Sequence, residues 1–310
     1  MAEGDRNKNA ETGRRCGFIA VLGAPNAGKS TLVNMLVGTK VTIVSHKVQT
    51  TSVPVRGIAI RGKSQLVFID TPGIFEPKRR LDRAMVGAAW GGAGEGDVVV
   101  LLVDAAKGLD KDVERIVSGL AGRGGRRVLV LNKVDRVADK AALLALSAAL
   151  AERLSPERVF MISALTGDGV EDLATYLAAA VPEGPWHYPE DEVSDAPLRL
   201  LAAEVTREKI YKYLHDELPY AITVETTQWK ELRDGSVRIE QTIFVERDSQ
   251  KSIVLGKQGR TVKQISSEAR TELAGIVERP VHLFLFVKVR ENWGSDPERY
   301  REMGLDFPKD

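Results

Sequence analysis

Between residues 16 and 163 the chain carries five short apolar runs, at 18–22, 66–69, 98–103, 128–131 and 159–162. Each is rich in Val, Ile and Leu, and none alternates with polar residues, which is how strands buried on both faces of a parallel sheet read. Stretches with helical spacing lie between them, at 29–37, 109–120, 138–153 and 170–180. Alternating strand and helix predicts an α/β unit, a mostly parallel sheet with helices on both faces. The segment 53–60 alternates better and carries Pro54, which suits an added edge strand.

Prolines then cluster at Pro182, Pro185, Pro189 and Pro197 around the acidic Glu190-Asp191-Glu192. Such a stretch reads as an exposed and fairly stiff linker. Beyond it the pattern gives a helix at 198–215, strands at 220–229 and 237–245 around a turn at Asp234-Gly235, and a short helix at 250–255. A four-residue turn, a helix to about 274 and a strand at 281–289 complete the order αββααβ, a smaller α+β unit. The expected organisation is a tail at 1–15, an α/β domain at 16–182, a linker at 183–197, a second domain at 198–293 and a tail at 294–310.

Composition adds little against this picture. At 310 residues and 43% hydrophobic, the chain can bury two cores. Its single cysteine, Cys16, cannot form an internal disulfide, which fits a reducing compartment and points to the cytoplasm. Residues 1–15 are polar and of mixed charge, unlike a signal or transit peptide, and no run approaches the ~20 apolar residues that cross a bilayer. The net charge of +1 conceals a local block. Residues 249–290 hold Lys251, Lys257, Arg260, Lys263, Arg270, Arg279, Lys288 and Arg290 against Glu268, Glu272 and Glu278. A basic strip aims a protein at phosphates, although a solvated helix face would give the same composition.

The chemistry sits at strand ends. Gly23-Ala24-Pro25-Asn26-Ala27-Gly28-Lys29-Ser30 fits G-x-x-x-x-G-K-S and lies between a buried strand and a helix, the context that identifies a P-loop. Backbone N–H groups and the helix start at Lys29, Ser30 and Thr31 supply positive potential to phosphates; Lys29 reaches the β/γ-phosphates and Ser30 binds Mg²⁺. Asp70-Thr71-Pro72-Gly73 ends the next run: its acid can hold Mg²⁺ through water, and the Gly73 N–H faces the γ-phosphate. Guanine presents two adjacent donors that one carboxylate can accept, so Asp135 of Asn132-Lys133-Val134-Asp135 is the base reader. Asn132 would tie base to loop and the Lys133 stem would cover the ring. Ser163-Ala164-Leu165 can offer the Ala164 N–H to guanine O6.

These four motifs resemble those of the translation-factor-like GTPases, and the GxPNxGKS form of the loop narrows the resemblance to the Era-like branch. In that class a switch threonine senses the γ-phosphate and ligates Mg²⁺. Thr51 is the better match, although the basic residue that follows in the family is Ser52 here. The catalytic set implied is Lys29, Thr51 and Gly73. Ras-like GTPases place a water-orienting glutamine after the glycine of the third motif. Here it is Ile74, which cannot polarise water, so slow intrinsic hydrolysis is expected. Asn26 matches a residue that helps coordinate K⁺ in related GTPases; the alternative is that it only shapes the loop.

The second motif is Gly256-Lys257-Gln258-Gly259, joining one helix to a second with apolar residues at Val262, Ile265, Ala269, Leu273 and Ile276. Helix, GxxG and helix on a small sheet is the KH arrangement, which binds about four single-stranded nucleotides. The order αββααβ corresponds to its type II form. Lys251, Lys257, Arg260 and Lys263 would meet phosphates, with Gln258 at the turn; Ile253, Val254 and Ile265 could line the groove or belong to the core, core being the reading for most of them and Ile253 the one assigned to RNA. Residues 16–293 as a whole are similar to the Era-like GTPases of small-subunit ribosome assembly, through Gln49-Thr50-Thr51, Ala89-Trp90, 217–220, 245–251 and Val287-Lys288-Val289 before Trp293. That resemblance implies binding to the 3′ end of 16S rRNA and the 30S subunit, with nucleotide state controlling the KH domain. It also implies peripheral contact with the inner membrane; the expected protein is a monomer. A binding-only protein, with GTP as a structural ligand, is the competing reading.

Overall fold

The computed structural model describes residues 13–45, 54–214, 222–291, 297–302 and 304–308. Residues 13–42 and 54–195 make one compact unit; residues 43–45 and the described residues from 196 onward make another. Among the described residues, no helix is long and apolar enough to cross a membrane. Thr50, Thr51, Ser52, the stretch 217–220 and Trp293 lie outside the described residues.

In chain order the first unit contains β1 (Arg15–Leu22), α1 (Lys29–Val37), β2 (Val55–Arg61), β3 (Ser64–Asp70), α2 (Arg80–Glu95), β4 (Val98–Asp104), α3 (Lys111–Leu120), β5 (Arg126–Asn132), α4 (Lys140–Leu154), β6 (Arg158–Ile162) and α5 (Val170–Ala180). The sheet order is β2-β3-β1-β4-β5-β6, parallel except for the antiparallel edge strand β2. Successive residues of the central strands serve opposite faces. Ile19, Val21, Val98, Val100, Leu102, Val128 and Val130 pack with Leu32, Val33 and Leu36 of α1 and Leu173 and Leu177 of α5. Their neighbours Ala20, Leu22, Val99, Leu101, Val103, Leu129 and Leu131 meet Ala89 and Ala93 of α2, Ile116 and Val117 of α3, and Leu150 and Leu154 of α4. Both faces are therefore covered, and the strands read as continuous apolar runs for that reason.

Helix α2 was not legible in the sequence pattern. It runs through Gly87, Gly91, Gly92 and Gly94, residues that weaken a helix by about 1 kcal/mol each relative to Ala. Packing explains one of them: a Cβ on Gly92 would lie 3.1 Å from Thr71 and 3.3 Å from Ile69, so the helix lies close over the end of β3.

The proline-rich segment is exposed or half-buried along its length, yet it is tied to the first unit. Gln65 of β3 is fully buried, and its Oε1 accepts from the N–H groups of His187 (2.9 Å) and Tyr188 (3.1 Å) while its Nε2 donates to the Tyr188 carbonyl at 2.8 Å. Trp186 Nε1 donates to the Lys63 carbonyl at 3.1 Å, and His187 stacks on Phe18 at 5.6 Å. Further on, the Ile58 N–H donates to the Val193 carbonyl at 2.8 Å, extending the edge beside β2.

The second unit contains α6 (Leu198–Tyr213), β7 (Ile222–Glu231), β8 (Val237–Val245), α7 (Asp248–Leu255), α8 (Arg260–Ile276), β9 (Val281–Val289) and α9 (Pro297–Glu302). Its sheet order is β7-β8-β9, with β7 and β8 antiparallel and β8 and β9 parallel. The core joins Ala203 and Ile210 of α6 and Val254 and Ile265 of α7 and α8 to Ile222, Val224, Ile243 and Val245 of the sheet. Residues 297–302 and 304–308 are not a bare tail: Tyr300 and Leu305 are buried, and the Tyr300 ring meets Phe307 edge-on at 4.9 Å.

Candidate nucleotide and nucleic-acid sites

The parallel sheet sends β1, β3, β4, β5 and β6 to one edge, the edge at which open α/β sheets bind ligands. The loop from Gly23 to Ser30 is shaped by positive φ at Asn26 (62°) and Gly28 (101°). A Cβ on Gly28 would meet the Asn132 amide nitrogen at 2.3 Å, and one on Gly23 would meet the Leu102 carbonyl oxygen at 2.5 Å. Both glycines thus let the loop lie against β4 and β5, beyond any need of the phosphates. Lys29 is buried, with Nζ donating to the carbonyls of Gly23 (3.1 Å) and Ala24 (3.0 Å). Burial pushes its pKa down to about 8 against the opposing pull of the Asp70 carboxylate.

The third motif is fastened to the first. The Ile74 N–H donates to the Gly23 carbonyl at 3.2 Å, and a Cβ on Gly73 would lie 2.9 Å from the Pro25 backbone. Ile74 itself is fully buried beside Leu22 and Ala24 in the core, and Thr71 donates to the Val21 carbonyl at 2.7 Å. Asp70 is fully buried, and its Oδ2 accepts from Ser30 Oγ at 2.7 Å. These are hard oxygen donors beside a phosphate-binding loop. Among the described residues no three His, Cys, Asp or Glu side chains group as a metal site. The donor set suits a magnesium ion held chiefly by phosphate and water. In that role Ser30 would hold the ion directly and Asp70 would hold its water; the ion would neutralise phosphate charge.

Asn132 joins three motifs. It is buried, its Nδ2 donates to the Ala27 carbonyl at 2.8 Å, and its Oδ1 accepts from the Ala164 N–H at 2.9 Å. The amide expected to face guanine O6 is thus anchored to the neighbouring motif. Lys133 takes a left-handed φ of 65°, which directs its stem back along the loop; Nζ donates to the Asn26 carbonyl and to Asp104 Oδ2, each at 2.6 Å. Asp135 follows on a short 3₁₀ turn with its carboxylate exposed and without a hydrogen bond or ion pair among the described residues, open to a base. Ser163 is fully buried and Leu165 is exposed at the rim. Asp104 was missed in the sequence. It ends β4 as Asp70 ends β3, and that position on the ligand edge was its only signal.

In the second unit, α7 is capped by the Gln250 side chain, which accepts from the N–H groups of Glu246 (2.8 Å) and Arg247 (3.2 Å). The following turn takes positive φ at Gly256 (70°), Gln258 (56°) and Gly259 (74°). Gly256 is further required because a Cβ would lie 2.2 Å from Thr261 Oγ1, whereas Gly259 faces open space. Lys257, Gln258, Arg260 and Lys263 are exposed, and among the described residues the three cations have no carboxylate partner. Lys251 is half-buried. Val254 and Ile265 are core, while Ile253 is 54% exposed beside the turn.

Residues 18–133 match the family model of the 50S ribosome-binding GTPases, and residues 217–294 match that of the KH domain. The chain is 63% identical to the GTPase Era of Bradyrhizobium sp. strain BTAi1 over 309 residues, covering 100% of this chain and 99% of that protein. It is 64% identical to the GTPase Era of Rhizobium meliloti over 295 residues, covering 95% and 94%. A crystal structure of Era in complex with MgGDPNP and nucleotides 1506–1542 of 16S ribosomal RNA superposes with a TM-score of 0.89 at 37% identity, covering 94% of this chain and 99% of that one.

Proposed function

Since the chain belongs to the Era family of GTPases and so binds and hydrolyses GTP, we propose that it works as a magnesium-dependent switch on the 3′ region of 16S rRNA in the 30S subunit. It acts in rRNA processing and small-subunit assembly in the cytoplasm, as a monomer. One observation carries this reading. A P-loop unit with an exposed Asp135 carboxylate at its edge and a GxxG turn ringed by exposed cations occur in one chain, and a relative of the same architecture was crystallised on that RNA with a magnesium-bound GTP analogue. A potassium ion beside the phosphates belongs to the same reading through Asn26, held in the loop at φ 62°.

Chemically, Lys29 and the backbone of the loop neutralise phosphate charge, Asp135 selects guanine, and Gly73 sets its N–H toward the γ-phosphate. Ile74 is buried in the core, so no side chain directly after Gly73 can orient water, and a slow basal rate follows.

The test is fluorescence anisotropy of the full chain with an RNA of the 16S 3′-terminal sequence, in the presence of a GTP analogue or GDP. A Lys257→Glu, Gln258→Asp double variant is expected to lose at least tenfold in RNA affinity with GDP affinity unchanged, since Asp tolerates the left-handed position. Gly256 is the poorer target because any side chain there collides with Thr261. Equal binding to a scrambled RNA, or insensitivity to the variant, overturns the RNA assignment. Identical RNA affinity with either nucleotide overturns the switch.

A further inference from the structure

Asn34 clamps the start of the loop that leaves α1 toward the switch segment. Asn34 Oδ1 accepts from the N–H groups of Val41 (2.9 Å) and Thr42 (3.1 Å), and its Nδ2 donates to the Thr42 carbonyl at 2.8 Å. Asn34 stands four residues after Ser30 on α1, so the two side chains share a helix face. The clamp thereby delivers Thr42 to the carboxylate that Ser30 also meets. Thr42 Oγ1 donates to Asp70 Oδ2 at 2.9 Å, beside Ser30 Oγ at 2.7 Å. Thr42 is 3% exposed and Asp70 0%. A buried hydroxyl on a charged oxygen makes one of the stronger hydrogen bonds available to a side chain.

We propose that Thr42 is a positioning residue for magnesium. The inference rests on the magnesium-dependent reading given above. An acid that acts through a metal-bound water must be held in one orientation, and a carboxylate can turn about its Cβ–Cγ bond. Two hydroxyl donors on one oxygen remove that freedom. Ser30 can offer its oxygen to the ion only while its proton keeps an acceptor, and Thr42 holds that acceptor in place. Because Thr42 heads the segment that carries Thr51, its hydroxyl also joins the root of that segment to the metal-side carboxylate.

The experiment follows release of fluorescent mant-GDP from the full chain across a Mg²⁺ titration and in EDTA. Thr42→Val is expected to raise the Mg²⁺ concentration at half-effect by about tenfold, the size of a hydrogen bond to a charged group, with release in EDTA unchanged. Thr42→Ser should return the midpoint to within about twofold of the parent. In an Asp70→Asn background, Thr42→Val should add nothing. An unshifted midpoint, failure of serine to rescue, a shift that persists without the Asp70 carboxylate, or faster release in EDTA would each overturn the assignment. If the parent protein itself ignores Mg²⁺, the magnesium reading falls, and Thr42 with it.

Discussion

Nucleotide binding should draw in protons above pH 8, because Lys29 is a lysine whose burial works against its own charge. It is 6% exposed, and desolvation lowers its pKa from 10.5 to about 8 despite Asp70. Well below pH 8 the ammonium is already protonated in nucleotide-stripped protein, and binding takes up nothing. Above it the group is neutral, and an anionic di- or triphosphate must recharge it, restoring the pKa to the ordinary range near 10.4 or higher. Uptake is then about half a proton at pH 8 and about nine-tenths at pH 9, and GDP affinity falls about tenfold from pH 7 to pH 9. The same shift makes the nucleotide-free protein more stable as pH rises from about 8 to 10.5, since in that window the unfolded chain binds more protons than the native one. Calorimetric titration with GDP in buffers of differing ionisation enthalpy counts the protons directly, and Lys29→Met should abolish the uptake while weakening binding. Fewer than about a tenth of a proton at pH 9, or an affinity flat from pH 7 to 9, would show that Lys29 keeps its charge in the buried loop.

Two further substitutions probe the base side of the site. Asp135→Asn should exchange guanine for xanthine preference, with a loss of GTP affinity approaching ~10⁴-fold as expected when a base-edge pair is broken; competition between GTP and XTP decides it, and retained GTP selectivity refutes the base-reading role. Asn132→Ala strands the Ala27 carbonyl and the Ala164 N–H, both in buried residues, at about 1–3 kcal/mol each. Urea unfolding of the nucleotide-free protein should show a loss of about 3 kcal/mol, and a loss below about 1 kcal/mol would mean that water or a backbone shift satisfies both groups.

The parallel strands were readable because burial on both faces leaves no alternation to hide them, and β2 was readable because Pro54 and a cleaner alternation mark an edge. Helix α2 was not. Gly92 is set by close approach to Thr71 and Ile69, a tertiary demand that reads locally as helix breaking. The phosphate and base motifs were legible because each is contiguous. Asp104 and Thr42 were not, since each acquires its partner only when separate loops converge on the sheet edge: Lys133 for Asp104, Asp70 for Thr42. At the GxxG turn the pattern allows groove or core for each of Ile253, Val254 and Ile265, and only packing shows that Ile253 is exposed while the other two are buried.

The proline-rich segment bears on how the nucleotide-binding half would behave alone. A fragment ending at Pro182, where the last helix of that half has just closed, would strip the Gln65 amide of three backbone partners and would bare one face of Phe18. A fragment reaching Asp195 keeps those contacts and the added edge beside β2. The shorter piece would fold less stably and expose an unpaired strand edge, the usual route to aggregation, although it contains every nucleotide-binding motif. What looks like a spacer is, for the purposes of dissection, the closing seam of the catalytic half.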